Sequence, residues 1–288
     1  MSEVKITIGD GYSVKRSKRF YLRFFIHLVC WGVFTSVLAY GGYLWFKLIR
    51  RDVTEQALLD VKWFTPLYLT NWNFMFQTIF LSMSLAYDML EWLDRHDSSL
   101  GRKLKFCRDV MFSGLVVPLT LFISSMFWTI FWIDRELVFP EVYDQLVPWW
   151  FNHCVHTNIA IMVLIETIMQ ARRHPTHFKL ELFLNGTAGV LYAIVYYSIY
   201  FFANRWLYGV FGIMTWWQVC LYQILIWTST FVFYFIQFPI NRIFHREEAN
   251  EQKYMVTEVK KHQGIPNAGF AEDSWLKHKT KTTENSSF

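Results

Sequence analysis

The chain has 288 residues, of which 53% are hydrophobic, 20% aromatic and only 18% charged, with a formal net charge of +5. An ordinary soluble domain carries roughly 25% charged residues, so this balance excludes a water-soluble globular protein and points into a bilayer. The positive excess follows the membrane topology described below and gives no support to a nucleic-acid role.

The first 19 residues are polar and carry no apolar period, which predicts a disordered N-terminal segment. Apolar runs then recur at about Phe24–Phe46, Leu67–Leu90, Val110–Ile133, Trp149–Ala171, Leu182–Phe202 and Met214–Phe238. As a helix rising about 1.5 Å per residue, each is long enough to span the roughly 30 Å hydrocarbon core. The fold expected is all-α: a polytopic bundle of six transmembrane helices over 20–246, followed by a charged, disordered tail over 247–288. Lys15, Arg16, Lys18 and Arg19 precede the first run, as in a signal peptide. The run exceeds the roughly 7–15 residues of a signal core, so it reads as a retained anchor. No internal repeat is visible, which weighs against a transporter built from duplicated halves.

Orientation follows from the basic residues. Of the 28 Lys and Arg, 22 fall before the first run, between the second and third, between the fourth and fifth, or after the sixth. The positive-inside rule then predicts that both termini are cytosolic, and a basic cytosolic face attracts anionic lipid. Cys30, Cys107, Cys154 and Cys220 have neither disulfide-framework nor metal-ligand spacing. Nothing in the sequence separates the plasma membrane from the endoplasmic reticulum as the membrane of residence.

The residue that asks for a function is His156, an ionisable side chain well inside the fourth run, where burial costs a few kcal/mol on insertion scales. Thr70 enters the second run from the same side. It lies four residues beyond Pro66, and His156 lies seven beyond Trp149, or about 6 and 10 Å of helix rise, so both belong to one leaflet. A hydroxyl and an imidazole at one depth are the minimum set for nucleophilic acyl transfer. Asn152, four residues before His156 and on its face, is a candidate to orient the ring or to donate to an oxyanion. His153, three residues before, is the other neighbour. Backbone N–H groups in the first turn of the Thr70 helix are further oxyanion candidates. Arg135, in Asp134-Arg135-Glu136, is a candidate to hold a lipid carboxylate, although the default for that triplet is a solvated charge cluster. Threonines in membrane helices commonly bond back to a carbonyl, and a buried histidine is often only a structural hydrogen-bonding group, so position alone leaves a non-catalytic lipid-binding or scaffold role open. Asp88 and Glu166, toward the opposite ends of their helices, are expected to snorkel or pair, with Asn185 as a partner for Glu166.

The string Phe127-Trp128, Asp134-Arg135-Glu136, Pro140, Pro148, Trp150, Asn152-His153 and His156-Thr157 closely resembles the family of the androgen-induced gene 1 protein and the androgen-dependent tissue factor pathway inhibitor regulating protein. The likeness runs from about Trp63 to Arg246. It implies a multi-pass membrane hydrolase of fatty acid esters of hydroxy fatty acids, with a threonine nucleophile and a histidine. By that resemblance the threonine falls on Leu69-Thr70 and the histidine on His156. No metal or organic cofactor is implied, and the expected partners are the bilayer and a lipid substrate with long acyl chains. A Gly-x-Ser-x-Gly elbow is missing, which argues against an α/β-hydrolase.

Overall fold

The computed structural model describes residues 18–246, and the described residues are helical throughout with short connections. The chain divides into two units, Met1–Phe244 and His245–Phe288, and the first holds everything discussed here. Both segments expected to be disordered lie outside the described residues, apart from Lys18 and Arg19, which open the first helix.

Helix α1 is Lys18–Ile49, α2 is Gln56–Phe64 and α3 is Leu69–Trp92. Next come α4, Ser99–Met111, and α5, Val117–Ile133. A π turn over Phe112–Val116 joins them into one continuous helix, Ser99–Ile133. A loop of two 3-10 turns leads to α6, Trp149–His153, and α7, Ile159–Met169, joined by a second π turn, Cys154–Asn158. The chain continues through α8, Phe178–Ala203, the short α9, Gly209–Gly212, and α10, Trp216–Phe244.

All six expected runs are helical, but among the described residues four helices are long and apolar enough to cross a membrane: α1, Ser99–Ile133, α8 and α10. The other two differ for physical reasons. At 24 residues α3 is long enough, yet it buries Asn73, Gln77, Ser84 and Asp88, so its apolarity is diluted by a polar inward face. Residues 149–169 run on as helix through the second π turn, but Asn152, His153, His156, Asn158 and Glu166 dilute their apolarity. The third run also begins earlier than its hydropathy indicates. Ser98 caps α4 by accepting from Gly101 N–H at 3.1 Å, and the polar first turns of α4 are helical although they are not apolar.

Local chemistry explains the breaks. Pro118 has no N–H to give and crowds the turn before it, and the helix widens into the Phe112–Val116 π turn there. The Ser113 carbonyl in that turn accepts from Gln237 Nε2 at 3.0 Å. Gly114 lets α8 approach closely, since a Cβ there would lie 3.0 Å from the Glu181 backbone. His177 caps α8 reciprocally: its Nδ1 accepts from Leu180 N–H at 3.2 Å, while its own N–H donates to Glu181 Oε1 at 2.9 Å. Asn204, at φ 55°, ends α8 in the left-handed conformation.

The main core runs through α1, α3, α5, α7 and α8, with Phe34 stacked on Phe74 at 4.7 Å and Phe80 against Phe112 at 4.9 Å. At one end a chain of buried charge crosses the unit. Arg23 pairs with Glu91 at 2.5 Å and Asp88 at 2.9 Å, and Asp88 meets His27 at 2.5 Å. His27 meets Glu166 at 2.9 Å, Glu166 pairs with Arg172 at 2.7 Å, and Arg172 pairs with Asp109, which also holds Arg108. This corrects the expected pairing: the partners of Glu166 are His27 and Arg172, and Asn185 stands elsewhere without a partner. The candidate residues lie at the other end.

Candidate functional site

Tyr68 is extended (φ −70°, ψ 134°) and ends the 3-10 turn Thr65–Leu67, so α3 starts abruptly at Leu69. Pro66 in that turn cannot donate, and two side chains clamp it: Asn71 Nδ2 donates to the Thr65 carbonyl at 2.5 Å and Trp72 Nε1 to the Pro66 carbonyl at 3.0 Å. Thr70 is thereby fixed, half-buried, in the first turn of α3.

His156 sits in the Cys154–Asn158 π turn, which rotates its ring relative to a regular helix and frees its carbonyl. Ser124 of α5 donates to that carbonyl at 2.7 Å. The ring stacks face to face on Phe127, with centroids 3.5 Å apart and planes within 6°. Thr70 Oγ1 and His156 Nε2 are 3.3 Å apart, and His156 Nδ1 is 2.8 Å from Asn152 Oδ1 and 3.1 Å from the Asn152 carbonyl. Both atoms facing Nδ1 are acceptors, so the network assigns the proton to Nδ1 and leaves the Nε2 lone pair for the threonine hydroxyl. Thr70, His156 and Asn152 thus form a line of nucleophile, base and orienter. The 3.3 Å contact has the looseness of a resting site.

The remaining candidates fall less centrally. His153 Nδ1 is 3.1 Å from Thr157 Oγ1, and its ring lies between Trp128 and Trp149. Arg135 Nη2 pairs with both carboxylate oxygens of Asp144, at 2.9 and 3.0 Å, and its Nε donates to the Phe139 carbonyl at 3.2 Å. It helps to build the 134–148 loop and lines neither cavity beside Thr70. The other members of the triplet do likewise: Asp134 accepts from Glu136 N–H and Glu136 from Glu141 N–H. Three of the amide donors expected at the start of α3 are engaged too. Leu69 N–H donates to the Tyr192 and Tyr208 hydroxyls at 3.1 and 3.3 Å, and Asn71 and Trp72 N–H both reach the Tyr68 carbonyl. Tyr192, Tyr208 and Ser124 gave no signal in the sequence, because aromatic and hydroxyl residues abound in every run, and Phe127 stood out there only as part of the family-like string.

Thr70 stands where two cavities meet. One, with about 910 Å³ of unoccupied space including its mouth, runs between α5, α8 and α10 past Phe122, Tyr192 and Ile226 to Asn185. The other, about 1560 Å³ on the same basis, lies between α1, α3 and the 138–147 loop and contains His156 and Asn152. Thr70, Phe127, Val138 and Tyr208 line both. The linings of both are mostly apolar, as in ligand sites. No cluster among the described residues could hold a metal ion.

A family model described as FAR-17a/AIG1-like protein matches residues 22–242. The chain is 37% identical over 163 residues to an androgen-dependent TFPI-regulating protein of Mesocricetus auratus, covering 53% of this chain and 68% of that protein. To the Homo sapiens protein of that name it is 32% identical over 180 residues, covering 58% and 74%. To the Homo sapiens androgen-induced gene 1 protein it is 29% identical over 114 residues, covering 38% and 48%. No solved structure matches.

Proposed function

The chain belongs to the FAR-17a/AIG1-like protein family and is an integral membrane protein, and from that footing we propose that it is a lipid esterase, hydrolysing fatty acid esters of hydroxy fatty acids through Thr70 and His156. The observation that carries the reading is the contact of Thr70 Oγ1 with a His156 whose other nitrogen is held by Asn152, at the junction of two apolar cavities. Such an ester carries an acyl chain on the carbonyl side and the hydroxy-acid chain on the oxygen side, and two cavities diverge from the Thr70 hydroxyl.

In the proposed mechanism His156 Nε2 takes the Thr70 hydroxyl proton as Oγ1 attacks the ester carbonyl. Asn152 accepts from Nδ1–H throughout and keeps the ring in the productive tautomer. The tetrahedral intermediate collapses, His156 returns the proton to the departing alcohol oxygen, and the hydroxy fatty acid leaves. Water then attacks the acyl-threonine; its proton passes through His156 back to Oγ1, and the second fatty acid is released. Oxyanion stabilisation falls to the tyrosine pair. The Tyr192 and Tyr208 hydroxyls are 2.8 Å apart, so one of their two protons lies between them and the other is left to donate.

A purely lipid-binding role would be favoured by Thr70 and His156 on faces that cannot meet, and their 3.3 Å separation removes that ground. A transport role needs a polar pathway through both leaflets, whereas the far end is closed by paired buried charges. In the same proposal α3 and residues 149–169 also cross the bilayer, giving six crossings with both termini cytosolic, in keeping with the 22 basic residues on that side. The test is hydrolysis of a branched fatty acid ester of a hydroxy fatty acid by membranes bearing the wild-type chain, Thr70→Ala or His156→Ala at matched expression. Activity in the wild type that vanishes in both variants supports the proposal. Equal activity in all three sinks the mechanism, and no activity in any of them moves the assignment to lipid binding.

A further inference from the structure

The far end of the first cavity holds a polar side chain that nothing in the fold explains. Asn185 of α8 is 2% exposed and lines the cavity, yet neither its Nδ2 nor its Oδ1 has a hydrogen-bond partner. A buried amide without partners costs stability, and the surroundings do nothing to offset it. Thr230 of α10 lines the same cavity. Where a Cβ would stand, Gly186 meets Phe231 and Gly189 meets Trp227, and this antiparallel pairing of α8 with α10 brings Asn185 and Thr230 to one depth. The Thr230 hydroxyl gives its hydrogen to the Trp227 carbonyl at 2.9 Å, which leaves Asn185 as the group at this depth able both to donate and to accept.

Asn185 lies seven residues along α8 from Tyr192, or about 10 Å of helix rise, and Tyr192 touches the Leu69 amide beside Thr70. Between the two ends the cavity is bordered by Leu119, Ile123 and Ile226. A ligand arm filling it would be polar at the reacting carbonyl, apolar over about 10 Å and polar again at its tip. No charged side chain lines this cavity among the described residues, so the tip is a neutral group that donates and accepts. A protonated carboxyl fits an amide in this way: its O–H donates to Asn185 Oδ1 while Asn185 Nδ2 donates to its carbonyl oxygen.

We propose that Asn185 forms a polar subsite at the far end of this cavity that binds the carboxyl terminus of the substrate's hydroxy-acid arm in its neutral form. The identity of the arm rests on the esterase reading above, since only that arm of the ester carries a second polar end. A ligand would satisfy the Asn185 amide, and the free protein carries its cost, a trade common at functional sites.

The experiment measures binding rather than turnover, so that it stands apart from the esterase assay. Thr70→Ala protein, with and without Asn185→Leu, is purified in detergent and titrated with a mid-chain hydroxystearic acid and with its methyl ester. Asn185→Leu removes the amide at similar volume, so the ligand-free variant should melt no lower than its parent. Asn185→Ser is the second variant should the leucine side chain not be accepted. The expected result is about tenfold weaker binding of the acid on losing the amide, with binding of the methyl ester little changed. Equal acid binding with and without Asn185 overturns the proposal, as does an equal loss for acid and methyl ester, which would mark Asn185 as a packing or water-binding residue. Failure of the esterase reading would show differently, as absence of wild-type hydrolysis while the acid still binds through Asn185.

Discussion

The two ends of the bundle handle buried polarity in opposite ways. Around His27, Asp88, Glu166 and Arg172 the buried groups are charged, and each meets an opposite charge within 3.0 Å. Around Thr70, His156 and Asn185 they are neutral, and several polar atoms, Asn152 Nδ2 and both ends of Asn185 among them, have no partner. A charge in low dielectric must be compensated within the fold itself. A neutral dipole costs less to leave open and stays free for a ligand. The charged end therefore ties helices together, whereas the neutral end leaves polar atoms open beside two cavities.

The sharpest test of this contrast separates activity from stability. Thr70→Ala should reduce ester hydrolysis to background, and His156→Ala should lower it by about 10³-fold or more, while the detergent melting temperature moves little in either case. Glu166→Ala should do the reverse. It leaves Arg172 and His27 short of a buried partner and should cost about 3–5 kcal/mol of stability, read as a large fall in melting temperature, with any residual folded protein keeping its KM. A Glu166→Ala protein that melts like the wild type would break the comparison. Asn152→Leu removes the nearer of the two acceptors facing His156 Nδ1 and leaves the backbone carbonyl, so kcat should fall about 10-fold at nearly constant KM. A change in KM alone would mean that Asn152 binds lipid instead. Ser124→Ala removes the donor to the His156 carbonyl and should cost about 1 kcal/mol of stability. The smallest effect belongs to the exposed pair of the 134–148 loop: Asp144→Ala releases Arg135 at a cost of about 0–1 kcal/mol, screened by solvent. A large loss of activity in that variant would return Arg135 to the substrate.

Much of the helical framework was legible in the sequence, because an apolar run of about 20 residues matches the thickness of the hydrocarbon core and is longer than a soluble helix ordinarily keeps free of charge. The limits were misjudged where composition and conformation part. The polar start of α4 is helical through its Ser98 cap and its packing, and the fourth run widens into a π turn that hydropathy does not register. The candidate residues were legible to different degrees. Asn152 lies against His156 as the four-residue spacing implied, whereas Arg135 turned to Asp144, a partner nine residues on whose position depends on the loop between Pro140 and Pro148.

By itself the sequence determined the apolar segments and the shared depth of Thr70 and His156, since helix rise is a constant and depth follows from counting residues. Only the tertiary structure decided rotation and partnership. The π turn and Phe127 aim the imidazole at Thr70, and packing joins His27 to Glu166 across 139 positions of sequence. It also turns Asn185 toward a cavity rather than toward Glu166. The angle of a helix about its own axis, and the neighbour it then faces, are set by how all the side chains fill the space between helices, and no single segment carries that information.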